Sequence, residues 1–197
     1  WDRTFEGGTA SSVQQTSDGG YIMTGIKNTD KDENNYIWLI KTDSNGDKLW
    51  DKTFGGSEGD RGHFVQQTID GGYVVIGSYG SYQTDDIWLF KTDSSGNRLW
   101  DRTFGGSDLD FAYNGQQTSD GGYIMAGGTR SFGNAYGKNS PWLIKTDSRG
   151  NKLWDKIFGG TENNTICAIQ QTSDDGYVLI TGWRIKWLIK TDVNGNV

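Results

Sequence analysis

A Trp-Asp dipeptide recurs at Trp1-Asp2, Trp50-Asp51, Trp100-Asp101 and Trp154-Asp155, and nothing else in the chain limits the fold as strongly. It divides the 197 residues without remainder into repeats 1–49, 50–99, 100–153 and 154–197. Such units stack, because one alone cannot bury its apolar surfaces. Four blocks recur in each: WDRTF or a close variant followed by Gly-Gly; QQTSD or QQTID; a Tyr heading YIMTG, YVVIG, YIMAG or YVLIT; and WLIKTD or WLFKTD. Each block is short and rich in aromatic and β-branched residues. Each lies between glycine-bearing turns, which is the pattern of a strand.

Two turns are uniform. Asp-Gly pairs (Asp18-Gly19, Asp70-Gly71, Asp120-Gly121, and Asp175-Gly176 one place later) join the Gln-Gln strand to the Tyr strand. Ser-Asn-Gly-Asp and its variants join the Trp-Leu-Ile strand to the Trp-Asp strand. Glycine, Asn and Asp tolerate the positive φ that hairpin turns demand. Each repeat therefore reads as an antiparallel meander of strands A (Gln-Gln), B (Tyr), C (Trp-Leu-Ile) and D (Trp-Asp). The expected fold is all-β: a single four-bladed β-propeller over residues 1–197 with four-stranded antiparallel blades. The chain begins with strand D and ends just past the turn that follows strand C. Trp1 to Phe5 are thus expected to pair near Trp187 to Thr191 and close the ring through the C-terminal blade.

The pattern GGY-(I/V)-x-x-G, a variable stretch, then W-L-I-K-T-D-x-x-G-x-x-x-W-D-K-T-F-G-G resembles the β-propeller repeats of secreted and surface proteins of bacteria and archaea. All four repeats match it. The resemblance implies a propeller fold and an extracellular or cell-surface setting. It implies no particular ligand, since one such fold serves many functions.

Composition narrows the function. The net charge is -6 with no basic cluster, which argues against a nucleic-acid partner. No apolar run approaches the ~20 residues needed to span a membrane, so membrane insertion is not expected. The lone histidine, His63, falls where the sister repeats hold Ser11, Tyr113 and Cys167. It reads as one more variable blade position, and Cys167 as a buried, inert thiol. No nucleophile elbow, phosphate-binding loop or Cys/His metal cluster is present, so no catalytic residue, metal or cofactor is assigned.

Binding residues are expected where the repeats differ. Of 26 aromatic residues, 16 belong to the repeat and read as packing between blades. Nine of the other ten fall on or beside the B-to-C and D-to-A loops, which emerge at one end of an antiparallel blade. The B-to-C stretch also varies: 16, 14, 18 and 9 residues separate the Tyr from the Trp. Variable loops on a rigid scaffold are where recognition concentrates. Tyr79, Tyr82, Phe132, Tyr136 and Trp183 are the candidates for stacking on a sugar, with Asp60, Asp85 and Asp110 hydrogen-bonding its hydroxyls. The acidic pairs Glu58/Asp60 and Asp108/Asp110 could ligate calcium, but read first as solvated loop charges, since a calcium site needs six or more ligands and each loop offers two. Asp43 and its counterparts read as plain hairpin residues that bind no metal. The expected function is a non-catalytic extracellular binding module for a glycan or a surface protein. A structural subunit of a surface coat or filament, and a carbohydrate-active enzyme, are the alternatives.

Overall fold

A computed structural model describes residues 1–28, 34–57, 59–81, 84–133, 137–159, 163–182 and 186–197. The described residues are all-β, with 15 strands and no helix. The strands form four antiparallel meanders. The first holds β1 (Gly8–Gln15), β2 (Tyr21–Asn28), β3 (Asn35–Thr42) and β4 (Lys48–Ser57); the second β5 (Arg61–Gln67), β6 (Tyr73–Tyr79), β7 (Asp86–Thr92) and β8 (Arg98–Phe104). The third holds β9 (Asp110–Gln117), β10 (Tyr123–Thr129), β11 (Ser140–Thr146) and β12 (Lys152–Ile157). The fourth has only β13 (Ile166–Gln171), β14 (Tyr177–Thr181) and β15 (Leu188–Thr191). Among the described residues the first three sheets run A-B-C-D as the repeat predicts, and A, B and C are recorded in the fourth.

Among the described residues, no recorded strand pairing closes the expected ring. Residues 1–6 form no strand, and the recorded pairing of β15 is with β14. The side chains of this segment are engaged elsewhere. The Trp1 ring packs edge-on to Tyr21 at 5.8 Å, and the Arg3 guanidinium pairs with Asp47 at 2.8 Å.

The chain forms two compact units, Trp1–Thr103 and Phe104–Val197. Within each, two sheets pack through equivalent residues. Val65, Tyr73 and Val75 of the second sheet meet Ile22, Ile37 and Leu39 of the first. Ile169, Tyr177 and Leu179 of the fourth meet Ile124, Ala126 and Leu143 of the third. The Trp of strand D then reaches the next sheet: Trp50 lies 5.9 Å from Tyr73, and Trp154 5.9 Å from Tyr177. Each Trp also covers the turn glycine of that sheet. A Cβ on Gly96 would come within 2.8 Å of Trp50, and one on Gly195 within 2.8 Å of Trp154. These glycines hold φ of 77° and 75°, so both backbone conformation and space require glycine.

Three polar motifs complete the scaffold. The lysine of each WLIKTD block pairs with the aspartate of the A-to-B turn: Lys41–Asp18 and Lys91–Asp70 at 2.9 Å, Lys145–Asp120 at 2.8 Å, Lys190–Asp174 at 2.9 Å. The Thr16 hydroxyl, then Lys41, hold the Asp18 carboxyl down at about 2. The glutamines link strands A within each unit. Gln67 N–H donates to Gln14 Oε1 at 2.6 Å and Gln171 N–H to Gln116 Oε1 at 2.9 Å. Asp43, Asp93, Asp147 and Asp192 each accept two backbone N–H groups of their own C-to-D turn. These carboxylates cap hairpins.

Repeat four corrects the reading of its first turn. Asp174, not Asp175, takes the place of Asp18: it binds Thr172 and Lys190. Asp175 stands where Gly19, Gly71 and Gly121 stand, at φ 61°. Asp tolerates that conformation better than most side chains, so the turn keeps its length with a different residue.

Candidate functional site

One position in each strand A is set apart by the backbone. The ladders slip by one residue at Ser11, His63, Tyr113 and Cys167, each the extra residue of a β-bulge. A bulge removes its residue from the ladder and turns it aside, which frees this site from the packing rules that hold its neighbours constant. Cys167 is exposed, not buried. His63 lies 2.8 Å from the Ser78 hydroxyl. Burial, followed by the Arg61 charge, pushes its imidazole down to about 4.

The D-to-A and B-to-C loops meet at one end of each sheet. Backbone bonds join them: Gly59 N–H to Gly80 O at 2.9 Å, Arg130 N–H to Leu109 O at 2.9 Å, and Gly182 N–H to Thr165 O at 3.1 Å. Asp60 and Asp110, expected to face solvent, are fully buried in this junction. Asp60 accepts from Gly56 N–H at 2.6 Å and Gly80 N–H at 3.3 Å. Asp110 accepts from Gly106 N–H at 2.9 Å and the Ser131 hydroxyl at 2.6 Å. An unpaired loop N–H would be costly once buried, and these carboxylates satisfy that demand instead of presenting themselves to a ligand. Asp85 is buried as well. Burial pushes its carboxyl up to about 6; the Arg61 charge opposes this, and Asp60 and Asp86 add to it.

Tyr79 and Phe132 are exposed where an aromatic site would need them, Tyr79 as the last residue of strand B and Phe132 in the loop three residues past it. Each lies 5.3 Å from the strand-C tryptophan of its own sheet, Trp88 or Trp142. In the first sheet Lys27 takes this place, its ammonium 4.0 Å from the Trp38 ring centre. The tryptophans are fixed from the other side. Their indole N–H groups donate to the aspartate of the following Trp-Asp motif: Trp38 to Asp51 at 2.9 Å, Trp88 to Asp101 at 3.1 Å and Trp142 to Asp155 at 2.9 Å. Tyr82, Tyr136 and Trp183 lie outside the described residues.

In the second sheet these groups border a groove of about 600 Å³ lined by Tyr79, Trp88, Arg98, Asp101 and Thr103, with Gly55 and Gly56 beside them. The Arg98 guanidinium carbon lies 5.6 Å from the Trp88 ring centre, and its Nε is 3.6 Å from Asp101 Oδ1. The groove offers an exposed phenol ring, a cationic fork and a carboxylate within one opening. Arg98 and Asp101 were not singled out in the sequence because both sit in repeat blocks. The signal was the non-repeat character of the residues at the loop end of strand B, where Lys27 and Tyr79 share one position and Phe132 follows three residues after the third sheet's strand.

No protein-family model and no curated protein matches the chain. Among solved structures it is similar to a protein of unknown function from Bacteroides caccae, with a TM-score of 0.58 and 11% sequence identity. The match covers 96% of this chain and 63% of that one, so the chain spans less than two thirds of the solved protein. At that identity the likeness is one of fold.

Proposed function

We propose that the four sheets are blades of a β-propeller and that the protein is a non-catalytic extracellular or cell-surface binding module whose ligand is a carbohydrate. The observation that carries this reading is the groove at Tyr79. A half-exposed aromatic face next to a paired Arg98 and Asp101 suits the alternation of apolar C–H faces and hydroxyls on a sugar. The differing residues at the Tyr79 position, on a scaffold otherwise repeated, support a recognition role for the loop end of the sheets.

A broad glycan-binding screen, followed by calorimetry with Tyr79→Ala, tests this. Tyr79 is exposed, so the variant keeps its fold. Binding should weaken by about 2 kcal/mol, roughly 30-fold. A bound glycan whose affinity ignores Tyr79→Ala, or no glycan bound at all, overturns the reading. The coat or filament alternative draws on a separate observation, the exposed apolar side chains of Val13 in the first sheet and Leu188 in the fourth.

A further inference from the structure

We infer that the groove at Tyr79 takes an acidic sugar, with the Arg98 guanidinium holding the carboxylate of a uronic acid residue; this rests on the carbohydrate reading above and adds the ligand's charge to it. Two residues before the tryptophan of Trp-Asp, the second sheet carries Arg98 where the first and third carry Lys48 and Lys152. Both lysines are engaged within their own strand. Lys48 Nζ lies 2.8 Å from Asp51, and Lys152 Nζ 2.9 Å from Asp155. Arg98 Nε stands 3.6 Å from Asp101 Oδ1, too far for a hydrogen bond.

Trp88 positions the guanidinium instead. The Arg98 Cζ lies 5.6 Å from the indole ring centre, a cation–π contact that holds the side chain without using its N–H groups. Asp101 is turned to the same indole, its Oδ2 accepting the Trp88 N–H at 3.1 Å. Among the described residues the Arg98 guanidinium makes no hydrogen bond of its own, and the side chain is 44% exposed. It lines the groove of about 600 Å³ together with Tyr79, which is also 44% exposed. A stacking ring and an unbonded cationic fork therefore share one opening.

The chemistry of the fork selects the ligand. A guanidinium presents parallel N–H donors that match the two oxygens of a carboxylate, which a lysine ammonium does not. In a uronic acid the carboxylate sits directly on a ring carbon. One residue then brings a C–H face to Tyr79 and a carboxylate to Arg98 in a fixed relation, while Asp101 can accept from a ring hydroxyl. A sulfate ester reaches its ring through a further oxygen and holds no such fixed relation. The chain's net charge of -6 opposes an anion at long range. That field is screened beyond about 8 Å at physiological salt, so the contact itself decides.

Calorimetry with oligosaccharides of galacturonic, glucuronic and mannuronic acid, each against its methyl ester, tests this, because the ester keeps the ring and removes the charge. At least one free acid should bind about tenfold more tightly than its ester. Arg98→Lys, the residue that the first and third sheets hold, should stay folded by circular dichroism and bring that ratio below about threefold. Tyr79→Ala should weaken binding of the free acid. Three results overturn the inference and leave the carbohydrate reading in place: acid and ester bound equally, a ratio that survives Arg98→Lys, or a sulfated galactose oligosaccharide bound more tightly than every uronate. An acid whose binding ignores Tyr79→Ala, or no glycan bound, neutral or acidic, overturns both.

Discussion

Two turn glycines separate backbone strain from packing within one unit. Gly71 and Gly96 hold nearly the same φ, 81° and 77°. A Cβ on Gly71 would meet nothing within 4 Å, while one on Gly96 would come within 2.8 Å of the Trp50 ring and 3.1 Å of Lys52. Gly71→Ala therefore introduces left-handed strain alone, about 1 kcal/mol. Repeat four already holds a side chain, Asp175, in the same turn position. Gly96→Ala incurs the same strain and also drives a methyl into an indole backed by Tyr73 at 5.9 Å. Displacing a packed ring adds about 1–3 kcal/mol, for a total of about 2–4 kcal/mol. Urea unfolding followed by tryptophan fluorescence measures both, and a cycle with Trp50→Ala isolates the contact: with the indole gone, Gly96→Ala should fall to about 1 kcal/mol. Equal costs for Gly71→Ala and Gly96→Ala, or no coupling to Trp50, would refute the claim that the Trp-Asp tryptophan clamps the next turn.

Two further outcomes follow from the same geometry. Partial burial raises the Asp120 carboxyl, but the Lys145 hydrogen bond, then that of Thr118, outweigh it and hold the group at about 2 against an ordinary 3.8. A depressed carboxyl stabilises the fold above its unfolded value and loses that contribution as pH falls toward its folded one. The side chain is 57% exposed, so solvent screening reduces the effect to about 1 kcal/mol. Asp120→Asn should thus unfold at lower urea than wild type above pH 4, with the gap closing toward pH 2; a gap independent of pH contradicts the pairing. Cys167 stands exposed on its bulge, so a thiol reagent should label the native protein at a rate within about tenfold of the urea-unfolded chain. Labelling only on unfolding would place the thiol inside.

The meander was legible because its signals are local. Strand blocks, turn glycines and the order A-B-C-D follow from residues a few positions apart. The bulge was half legible: Ser11, His63, Tyr113 and Cys167 aligned in sequence, but nothing in them revealed an extra residue in the ladder. Partners that are distant in sequence were hidden. The lysine of WLIKTD meets a turn aspartate more than a dozen residues away, and Gln14 bonds the backbone 53 residues on. Asp60 and Asp110 misled for a related reason. A carboxylate in a variable loop looks solvated until the loop's own N–H groups are found to converge on it. The Asp175 turn misled because the Asp-Gly pair was matched by identity, whereas the backbone matches by φ.

The repeated residues work in pairs that tie one element to another, and this explains what remains free to vary. The Trp of Trp-Asp reaches forward onto the next sheet's Tyr and turn glycine, while its Asp reaches back to the strand-C indole of its own sheet. The lysine fastens strand C to the A-to-B turn, and glutamine fastens strand A to strand A. Changing one member leaves the other unpaired or uncovered, so these positions are bound to one another rather than available to a ligand. The residue that covers the strand-C tryptophan, at or just past the loop end of strand B, escapes that coupling. A lysine, a tyrosine and a phenylalanine all cover the ring there, since an indole face accepts a cation or another ring equally well. That tolerance lets Lys27, Tyr79 and Phe132 differ without disturbing the sheets, and it gives each loop end its own chemistry on a common frame.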